Sequence, residues 1–518
     1  MSLTTRYGLV AGTTALAIAG TAFGGVESDN DALAQIAELK QELAELKQQD
    51  GQDWLTEQRA SEIRGIVQDV LADADTRTSL QNSGAMAGYN NGFFLASPDG
   101  NFKLNVQGFM QVRWTLNEAE EQDTEWGFEN ADTYLDFSGN VVDPSWTYKV
   151  RGNFANGGNG NMDLTFAYIE KDLGDGLSVR VGQFRAPWLR EELVDDPYQL
   201  GVSRSIFNAS FTQGFSQGVQ VGYESDAFRI AGWYGDGFGP AFNFNDVEFG
   251  GLNVLGVQVV PAVALSGAGY NTANTPWDQS TTKWSFAARA EYKISGDWST
   301  FDDFTSFRGE EGGMMVGVAV RGQRGSGTTD EFSLTDDAEI FGVTADFTWD
   351  FGGANLYAAF VYQDVDWGNQ NLPSAAALGL QGGTIDLGKS NQWGVMVQGG
   401  YFVTEEIEIY GRYDYINYGV DQDVTVTGNN YPAPFNLNGT TSLKDVLGNT
   451  KYNGLTIGAN YFFAPNVKAT VEWGYNFDSL SSIVPDLSAS GFRGDTTKPN
   501  GNRADGQWAL RAQLQLLF

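Results

Sequence analysis

A strict alternation of apolar and polar side chains runs along most of the chain from Phe102 to the C-terminus. In Phe102–Trp114 the apolar positions alternate with Lys103, Asn105 and Gln107, and the final segment, Trp508–Phe518, repeats the pattern. A period of two is that of a β-strand with one apolar and one polar face. The pattern predicts strands that turn one face to lipid and the other to water.

Sixteen segments carry this alternation, and an even number is expected of a single-chain membrane barrel. Short turns alternate with long links, which is typical of periplasmic turns and outer loops. One connection, 295–313, is long although it falls on the short side, and a periplasmic helix or plug around 301–304 is our only interpretation of it. The predicted strands are 102–114, 126–141, 146–154, 162–171, 177–184, 219–223, 228–234, 283–293, 314–321, 338–349, 356–363, 392–403, 407–418, 455–463, 467–476 and 508–518.

The first 22 residues resemble a cleaved signal peptide. They contain one basic residue, Arg6, then an apolar stretch, Tyr7–Ala19, and small residues around Ala22. A membrane anchor is the alternative, but the apolar run is short and diluted by Gly and Thr. Nowhere else does the sequence offer the roughly 18 apolar residues of a membrane-spanning helix, so a membrane would have to be crossed by strands.

Residues 31–82 show the period of a helix. Ile36, Leu39, Leu43 and Leu46 are spaced by three and four, as in a short coiled coil, and Trp54–Leu80 continues with a broad apolar face. We expect a periplasmic stalk that self-associates, with three-fold symmetry favoured. The alternatives are a helix packed on its own barrel and a solvated linker.

Composition supports a barrel and removes most catalytic chemistry. The 65 glycines and 13% aromatic residues suit bent strands and interfacial belts, and the formal net charge of −34 argues against nucleic acid as a partner. The chain has neither Cys nor His, which excludes thiolate and imidazole catalysis and the usual zinc ligands. Acidic clusters lack calcium-loop spacing. We therefore predict no enzyme activity, no cofactor and no metal.

Strand parity selects the side chains that face the lumen. The basic ones outnumber the acidic ones, so the wall favours anions, whereas the acidic outer loops favour cations at the mouth; which field dominates stays open. The charges would also serve simply to keep the lumen wet. The predicted basic residues are Lys103, Arg113, Lys149, Arg151, Arg180, Arg229, Arg289, Lys293, Arg321, Arg412, Lys468 and Arg511, and the acidic ones are Asp163, Glu291, Asp346, Asp350, Glu408, Asp414 and Glu472.

The link 185–218 is the best candidate for a pore constriction, because an early link of this length can fold into the lumen of a large porin. An outer loop that covers the barrel or contacts a neighbouring subunit is the alternative. Charges of both signs lie close together in it: Arg185, Arg190, Glu191, Glu192, Asp195, Asp196 and Arg204.

Several short motifs resemble the phosphate-selective porin O and P family. They are Phe94–Leu104 before the first strand, Gly182–Arg185 followed by Pro187 and Glu192, Arg204–Ser205, and the closing strand Trp508–Phe518. The resemblance covers roughly residues 90–518 and implies a sixteen-stranded trimeric channel for small hydrophilic solutes. It does not imply phosphate selectivity, because the basic residues cannot be matched one by one to the family's ladder of arginines and lysines.

The sequence thus predicts an all-β membrane protein, an antiparallel transmembrane β-barrel of about 16 strands over residues 90–518, preceded by an α-helical coiled-coil segment. Its function would be passive diffusion of inorganic ions and small hydrophilic solutes across the bacterial outer membrane. Its partners would be outer-membrane lipid and two further copies in a homotrimer. Trp508 and Phe518 would form the assembly signal of the last strand. The alternative function is a structural tether, whose stalk contacts the cell wall or a surface layer.

Overall fold

The computed structural model describes residues 85–518 except 91, 155–161, 239–247, 255–256, 265–272, 279–281, 326–336, 372–380, 382, 387, 422, 429, 431–437, 443–448, 481–483, 485–486 and 495–505. The predicted signal peptide, 1–22, and stalk, 31–82, lie outside the described residues and stay predictions. No helix in the part that the structure describes is long and apolar enough to cross a membrane.

Sixteen antiparallel strands form a closed barrel, as predicted. Each pairs with its neighbour in sequence, and the last strand pairs with the first through Gln513 opposite Arg113 and Leu516 opposite Met110. The strands are β1 Lys103–Glu118, β2 Glu125–Val141, β3 Asp143–Asn153, β4 Asp163–Gly174, β5 Leu177–Arg185, β6 Phe215–Glu224, β7 Phe228–Gly235, β8 Thr282–Ser295, β9 Gly313–Gly325, β10 Ala338–Asp350, β11 Ala354–Asp366, β12 Lys389–Phe402, β13 Ile407–Asn417, β14 Lys451–Ala464, β15 Val467–Asn476 and β16 Trp508–Leu517.

The alternation seen in the sequence is an alternation of burial in the structure. Along β10, buried residues such as Ile340 and Asp346 alternate with exposed ones such as Phe341 and Val343. The exposed face carries apolar side chains, and the inward face carries both polar and apolar ones. A water-soluble barrel has the opposite arrangement, with its polar side chains outside. The exposed apolar band is therefore the surface that meets lipid.

The N-terminal hairpin and the C-terminal residue meet on β1. The hairpin strands Met86–Tyr89 and Phe93–Ala96 continue the sheet, since Phe93–Ala96 pairs with the first residues of β1 and Met86–Tyr89 pairs with Phe93–Ala96. Just beyond them, the Gly108 N–H donates to the Phe518 carbonyl at 2.6 Å and the Phe518 N–H donates back at 2.8 Å. A Cβ on Gly108 would lie 2.3 Å from the Phe518 ring, so any larger residue there would require that ring to move. Phe518 thus closes the barrel, while its role as an assembly signal stays a prediction.

Two segments enter the barrel. The link between β5 and β6 contains α1, Arg190–Leu193, a 3-10 turn, Asp196–Tyr198, and α2, Ile206–Phe211. From the opposite end, the long connection between β8 and β9 contains the 3-10 turn Trp298–Phe301 and buries three phenylalanine rings. The long links form two small sheets of their own. One has two strands, Glu248–Val254 and Val257–Ala264, and the other has four, Asn369–Asn371, Thr384–Asp386, Asp423–Thr427 and Gly439–Ser442.

Candidate functional site

Residues 186–214, called the constriction loop below, lie inside the barrel against half of its wall. Trp188, Leu189, Phe207 and Phe211 are almost fully buried in one apolar cluster with inward residues of β9–β14 such as Ile340, Val361 and Met396. Burial of each such side chain contributes about 1.5–3 kcal/mol. We call β9–β16 the packed half of the barrel and β1–β8 the open half.

Half of the predicted lumen bases hold this loop in place. Because a buried guanidinium or ammonium needs acceptors, and five backbone carbonyls and one hydroxyl of the loop supply them, these side chains fix the loop. The six contacts are Arg113 to the Val202 carbonyl at 3.2 Å, Arg289 to Trp188 at 3.0 Å, Arg321 to Phe211 at 3.3 Å, Arg412 to Ser203 at 2.9 Å, Lys468 to Gln199 at 2.8 Å, and Arg511 to the Ser203 hydroxyl at 3.0 Å.

The other six predicted bases lie in the open half. Lys149 and Arg151 face the loop, Arg180 pairs with Glu170 at 2.8 Å, and Arg229 pairs with Glu224 at 2.8 Å. Lys293 and Lys103 lie at the short-turn end, 5.2 Å from the Trp298 ring and 5.6 Å from the Phe94 ring.

Five of the seven predicted constriction residues form one ionic network. Arg185 lies 3.0 Å from Glu192, 3.2 Å from Asp195 and 3.5 Å from Asp196. Arg204 also pairs with Asp196, and lies 3.5 Å from Glu192. This network faces the open half.

Arg151 of the wall joins the network to the barrel. Its guanidinium contacts Asp136 at 2.6 Å and Asp195 at 2.5 Å, and its plane lies 3.7 Å from the Tyr134 ring centroid. Lys149 adds a second positive charge 3.2 Å from Asp136. The loop is thus fixed to both halves through its carbonyls, and ion pairs with Arg151 and Lys149 add a second kind of contact on the side of the open half.

The remaining two predicted constriction residues point toward the packed half. Arg190 donates to the Thr348 hydroxyl at 3.2 Å and to the Phe301 carbonyl. Glu191 accepts from the Ser205 N–H at 2.7 Å and from its hydroxyl at 2.5 Å, which caps α2 from outside the helix. These two side chains position the loop and do not line its free edge.

The two faces of the loop differ in their electrostatics. Burial raises the pKa of Glu191, and Arg412 and the Ser205 donors only partly offset this. Burial also acts to raise the pKa of Asp195, but Arg151 and Lys149 outweigh it and hold that pKa well below its ordinary value. The pKa of Asp196 is lowered in the same way, because Arg204 and Arg185 outweigh the effect of burial.

Most of the predicted inward acids contact a partner on the wall or the loop. Asp346 and Glu291 lie 2.7 and 2.8 Å from Arg289. Glu472 pairs with Arg511 and accepts from the Val202 N–H at 2.9 Å, and Asp414 lies 3.6 Å from Arg412. Glu408 accepts from Asn355 and Asn460, Asp350 is buried at the end of β10, and Asp163 lies opposite Asn153 in the register.

Parity alone missed five inward acids. A bulge between Gln111 and Val112 in the β1–β2 ladder shifts β2 by one residue, so the exposed face carries Trp126 and Phe128 on one side of the bulge and Leu135 and Phe137 on the other. A second irregularity, between Arg151 and Gly152, does the same in β4. The missed residues are Glu129, Asp132, Asp136, Glu170 and Glu224. With them, the wall comes close to charge neutrality.

Two cavities remain beside the loop, both in the open half. The outer one, about 450 Å³, is lined by four arginines, Arg113, Arg151, Arg185 and Arg204, and by three acids, Asp132, Glu192 and Asp196. The inner one, about 280 Å³, is lined by Arg180, Arg185, Arg229 and Arg289 and by Glu170, Glu224 and Glu291. Arg185 borders both cavities. No cluster of acidic side chains among the described residues is arranged to hold a metal ion.

A family model described as phosphate-selective porin O and P matches residues 101–476, and no curated protein matches the sequence. Solved structures with a similar fold include the anion-selective porin from Comamonas acidovorans, with 11% identity over 80% of this chain and 99% of that chain and a TM-score of 0.46. The trimer form of Vibrio cholerae OmpT has 13% identity over 80% and 99%, with a TM-score of 0.42. Pseudomonas putida OprB has 12% identity over 86% and 96%, with a TM-score of 0.44.

The family match spans more than two thirds of the chain and sixteen strands close around a charged interior. The chain therefore belongs to the phosphate-selective porin O and P family, and it is an outer-membrane porin that forms a channel for ions and small solutes.

Proposed function

We propose that the channel passes small anions more readily than cations, by diffusion without a chemical step. The single observation that carries this is the excess of one arginine over the acids around each open cavity, with Arg185 bordering both. In a narrow passage with low-dielectric walls, an excess of guanidinium groups over carboxylates at the surface of the passage favours anions, although acids behind that surface, such as Asp195 and Asp346, pair with some of the arginines. The wall as a whole is nearly neutral, so the bias is local to the constriction.

The proposed path runs along the open half. A solute enters the outer cavity, passes the free edge of the constriction loop at Arg185, and leaves through the inner cavity toward the short-turn end. The loop sets the size limit because its other face is packed against β9–β14. Anions would pass from one guanidinium group to the next. Because each group is already paired with a carboxylate, it binds an anion weakly enough to release it.

Reversal potentials of the purified channel in planar bilayers under a potassium chloride gradient test the proposal. The expected sign is that of a channel preferring chloride, and Arg185→Gln should shift the potential toward cations because it leaves Glu192 and Asp195 partly uncompensated. Arg324→Gln is the matched control, since its side chain is 41% exposed at the outer end of β9. A preference of the unmodified channel for potassium would refute the proposal.

We further propose that the protein is a homotrimer whose residues 31–82 form a stalk in the periplasm. The hairpin of Met86–Tyr89 and Phe93–Ala96 supports the second part, since Phe93–Ala96 pairs with the first residues of β1 at the short-turn end of the barrel, which faces the periplasm in barrels of this class. The chain preceding it is then directed to that side. Cross-linking of whole cells, with and without removal of residues 31–80, tests both parts through the size of the cross-linked species.

A further inference from the structure

The connection between β8 and β9, residues 296–312, differs from the other described turns at its end of the barrel. The others are short, such as 175–176, 225–227 and 465–466, whereas this one has seventeen residues. It buries Trp298, Phe301, Phe304 and Phe307. A hydrated surface loop does not carry four buried aromatic rings, so the segment belongs to the interior.

The segment runs along the inside of the wall from β7 to β14. At its start the Trp298 indole N–H donates to the Ser225 carbonyl at 2.8 Å, in the turn between β6 and β7. At its end the Phe307 ring lies 5.0 Å from both Phe402 and Phe462, and Arg308 donates to the Phe402 carbonyl at 3.0 Å. Both ends are therefore anchored to the barrel.

Its middle touches the constriction loop at two points. The Phe304 N–H donates to the Tyr198 carbonyl at 3.1 Å, and Arg190 of the loop donates to the Phe301 carbonyl. The Arg190 guanidinium also lies 5.8 Å from the Phe304 ring centroid, and that ring packs on Tyr357 at 4.8 Å. These contacts join the loop to the segment across the lumen.

The contact at Tyr198 completes a set of three. Three successive carbonyls of the loop each accept from a different element: Pro197 from Gln515 of β16 at 3.0 Å, Tyr198 from Phe304, and Gln199 from Lys468 of β15 at 2.8 Å. These carbonyls follow Asp195 and Asp196, the acids of the ionic network. Whatever fixes the carbonyls also fixes the distance from those carboxylates to Arg151 and Arg185.

We propose that residues 296–312 act as an inner strut that sets the position of the constriction loop, with Arg190 and Phe304 as its positioning residues. The strut makes no contact with the passing solute. It holds the 3-10 turn Asp196–Tyr198 at the height where Asp195 and Asp196 meet the arginines of the open half. The inference rests on the proposed function only in that the loop is the narrowest part of the path.

Replacing residues 299–307 by Gly-Ser-Gly tests the strut in the full-length protein. Release of the loop should raise the mean single-channel conductance about twofold and add current noise, because an unsupported loop samples wider positions. Arg190→Met and Phe304→Ala should each give a smaller effect of the same kind, with Phe341→Ala as the matched control, since Phe341 lies on the lipid face and is 54% exposed. Conductance and noise equal to those of the unmodified channel in all three variants would overturn the inference.

A disulfide supplies a second readout if the replaced segment prevents folding. The chain contains no cysteine, so Tyr198→Cys with Phe304→Cys introduces a unique pair. The oxidised channel should conduct like the unmodified one, and reduction should add noise reversibly, whereas noise that does not depend on oxidation would count against the strut. The proposed anion preference is decided separately by the sign of the reversal potential in the unmodified channel, so either idea can fail without the other.

Discussion

The two halves of the barrel are built from the same alternating strands and differ in what their inward faces do. In the packed half, β9–β16, inward side chains bury an apolar cluster or donate to the carbonyls of the constriction loop. In the open half, β1–β8, they form ion pairs around two cavities. An inward arginine such as Arg412 of the packed half only anchors the loop, whereas Arg180 of the open half lines a cavity. Arg113 and Arg289 of the open half do both, although the strand positions look the same.

Removing the free part of the loop should have the largest effect, because it abolishes the difference between the halves. Deletion of Asp195–Val202 takes away two acids of the ionic network and five anchored carbonyls, those of residues 197–200 and 202. We expect a severalfold rise in single-channel conductance and a loss of most charge preference. The measurement is conductance in a planar bilayer, after heat-modifiable mobility on gels has shown a folded barrel.

Deletion of residues 120–123 is the control for that experiment. This stretch lies in the link between β1 and β2, outside the barrel wall, and contributes no residue to the inner cavity. Its removal should leave the conductance within experimental error. If both deletions act alike, the loop is not the constriction.

The second largest effect should come from removing Trp188, the aromatic side chain that anchors the loop to the packed half. Trp188 is fully buried, donates its indole N–H to the Phe211 carbonyl at 2.9 Å and lies under the Arg321 guanidinium. Trp188→Ala should lower the free energy of unfolding by about 3–5 kcal/mol. Urea unfolding in detergent, followed by tryptophan fluorescence, measures this. Trp126→Ala, at a site 68% exposed on the outer face, should cost far less, and equal losses would contradict the packed half as we describe it.

The sequence predicts the wall well and the interior poorly. Strand number, order and closure follow from local alternation, because lipid on one side and water on the other impose a period of two on every strand. The same rule fails wherever a bulge adds one residue, which is why Asp136 and Glu170 were missed while Arg151 and Arg180, their partners, were found. In β2 the bulge leaves one local signal, the change of phase from Trp126 and Phe128 to Leu135 and Phe137, which a single parity for the whole strand ignores.

The division of the lumen bases could not have been predicted either. Arg321 and Arg151 occupy equivalent inward positions, yet one donates to carbonyls of α2 and the other to Asp136 and Asp195. Which partner each finds depends on where the loop packs, and that depends on contacts between residues more than 100 positions apart, such as Trp188 and Arg289. The length of the link 185–218 indicated that it could fold into the lumen. It did not indicate which of its side chains face each half of the barrel.

Neutralising one arginine in each half should separate anchoring from selectivity. Arg412→Met in the packed half removes a donor to the Ser203 carbonyl and a partner of Asp414, so it should destabilise the barrel by about 3–5 kcal/mol. Arg180→Met in the open half removes a charge that is 27% exposed in the inner cavity, so it should shift the reversal potential and change stability by no more than about 1 kcal/mol.

Both variants are measured in the same two assays, unfolding in urea and reversal potential in a salt gradient. The contrast is the test, because each variant serves as the control of the other. A shift in selectivity from Arg412→Met, with no loss of stability, would place that residue on the solute path and blur the distinction between the halves.

The smallest effect should come from mild acid. Because the pKa values of Asp195 and Asp196 are lowered by the arginines and lysine around them, both carboxylates stay ionised below the ordinary aspartate value of about 3.9. Their contribution to stability is fully present above that value and is lost only as the pH falls through the lower folded pKa. The charge on these two carboxylates should therefore stay constant between pH 7 and about pH 5.5, and neither of them should shift the reversal potential over that range.

Glu191, on the other face of the loop, changes the stability of the fold with pH in the opposite direction. Its folded pKa is raised, so the folded state binds a proton more readily than the unfolded chain does, and acidification through that pKa stabilises the fold. Since Glu191 is 1% exposed and faces the packed half, its titration should change unfolding and leave ion selectivity unaffected. A drift of the reversal potential toward anions over this range that is equal in Glu191→Gln but lost in Asp195→Asn would mean that Asp195 titrates and that its network with Arg151 and Arg185 is weaker than its geometry indicates.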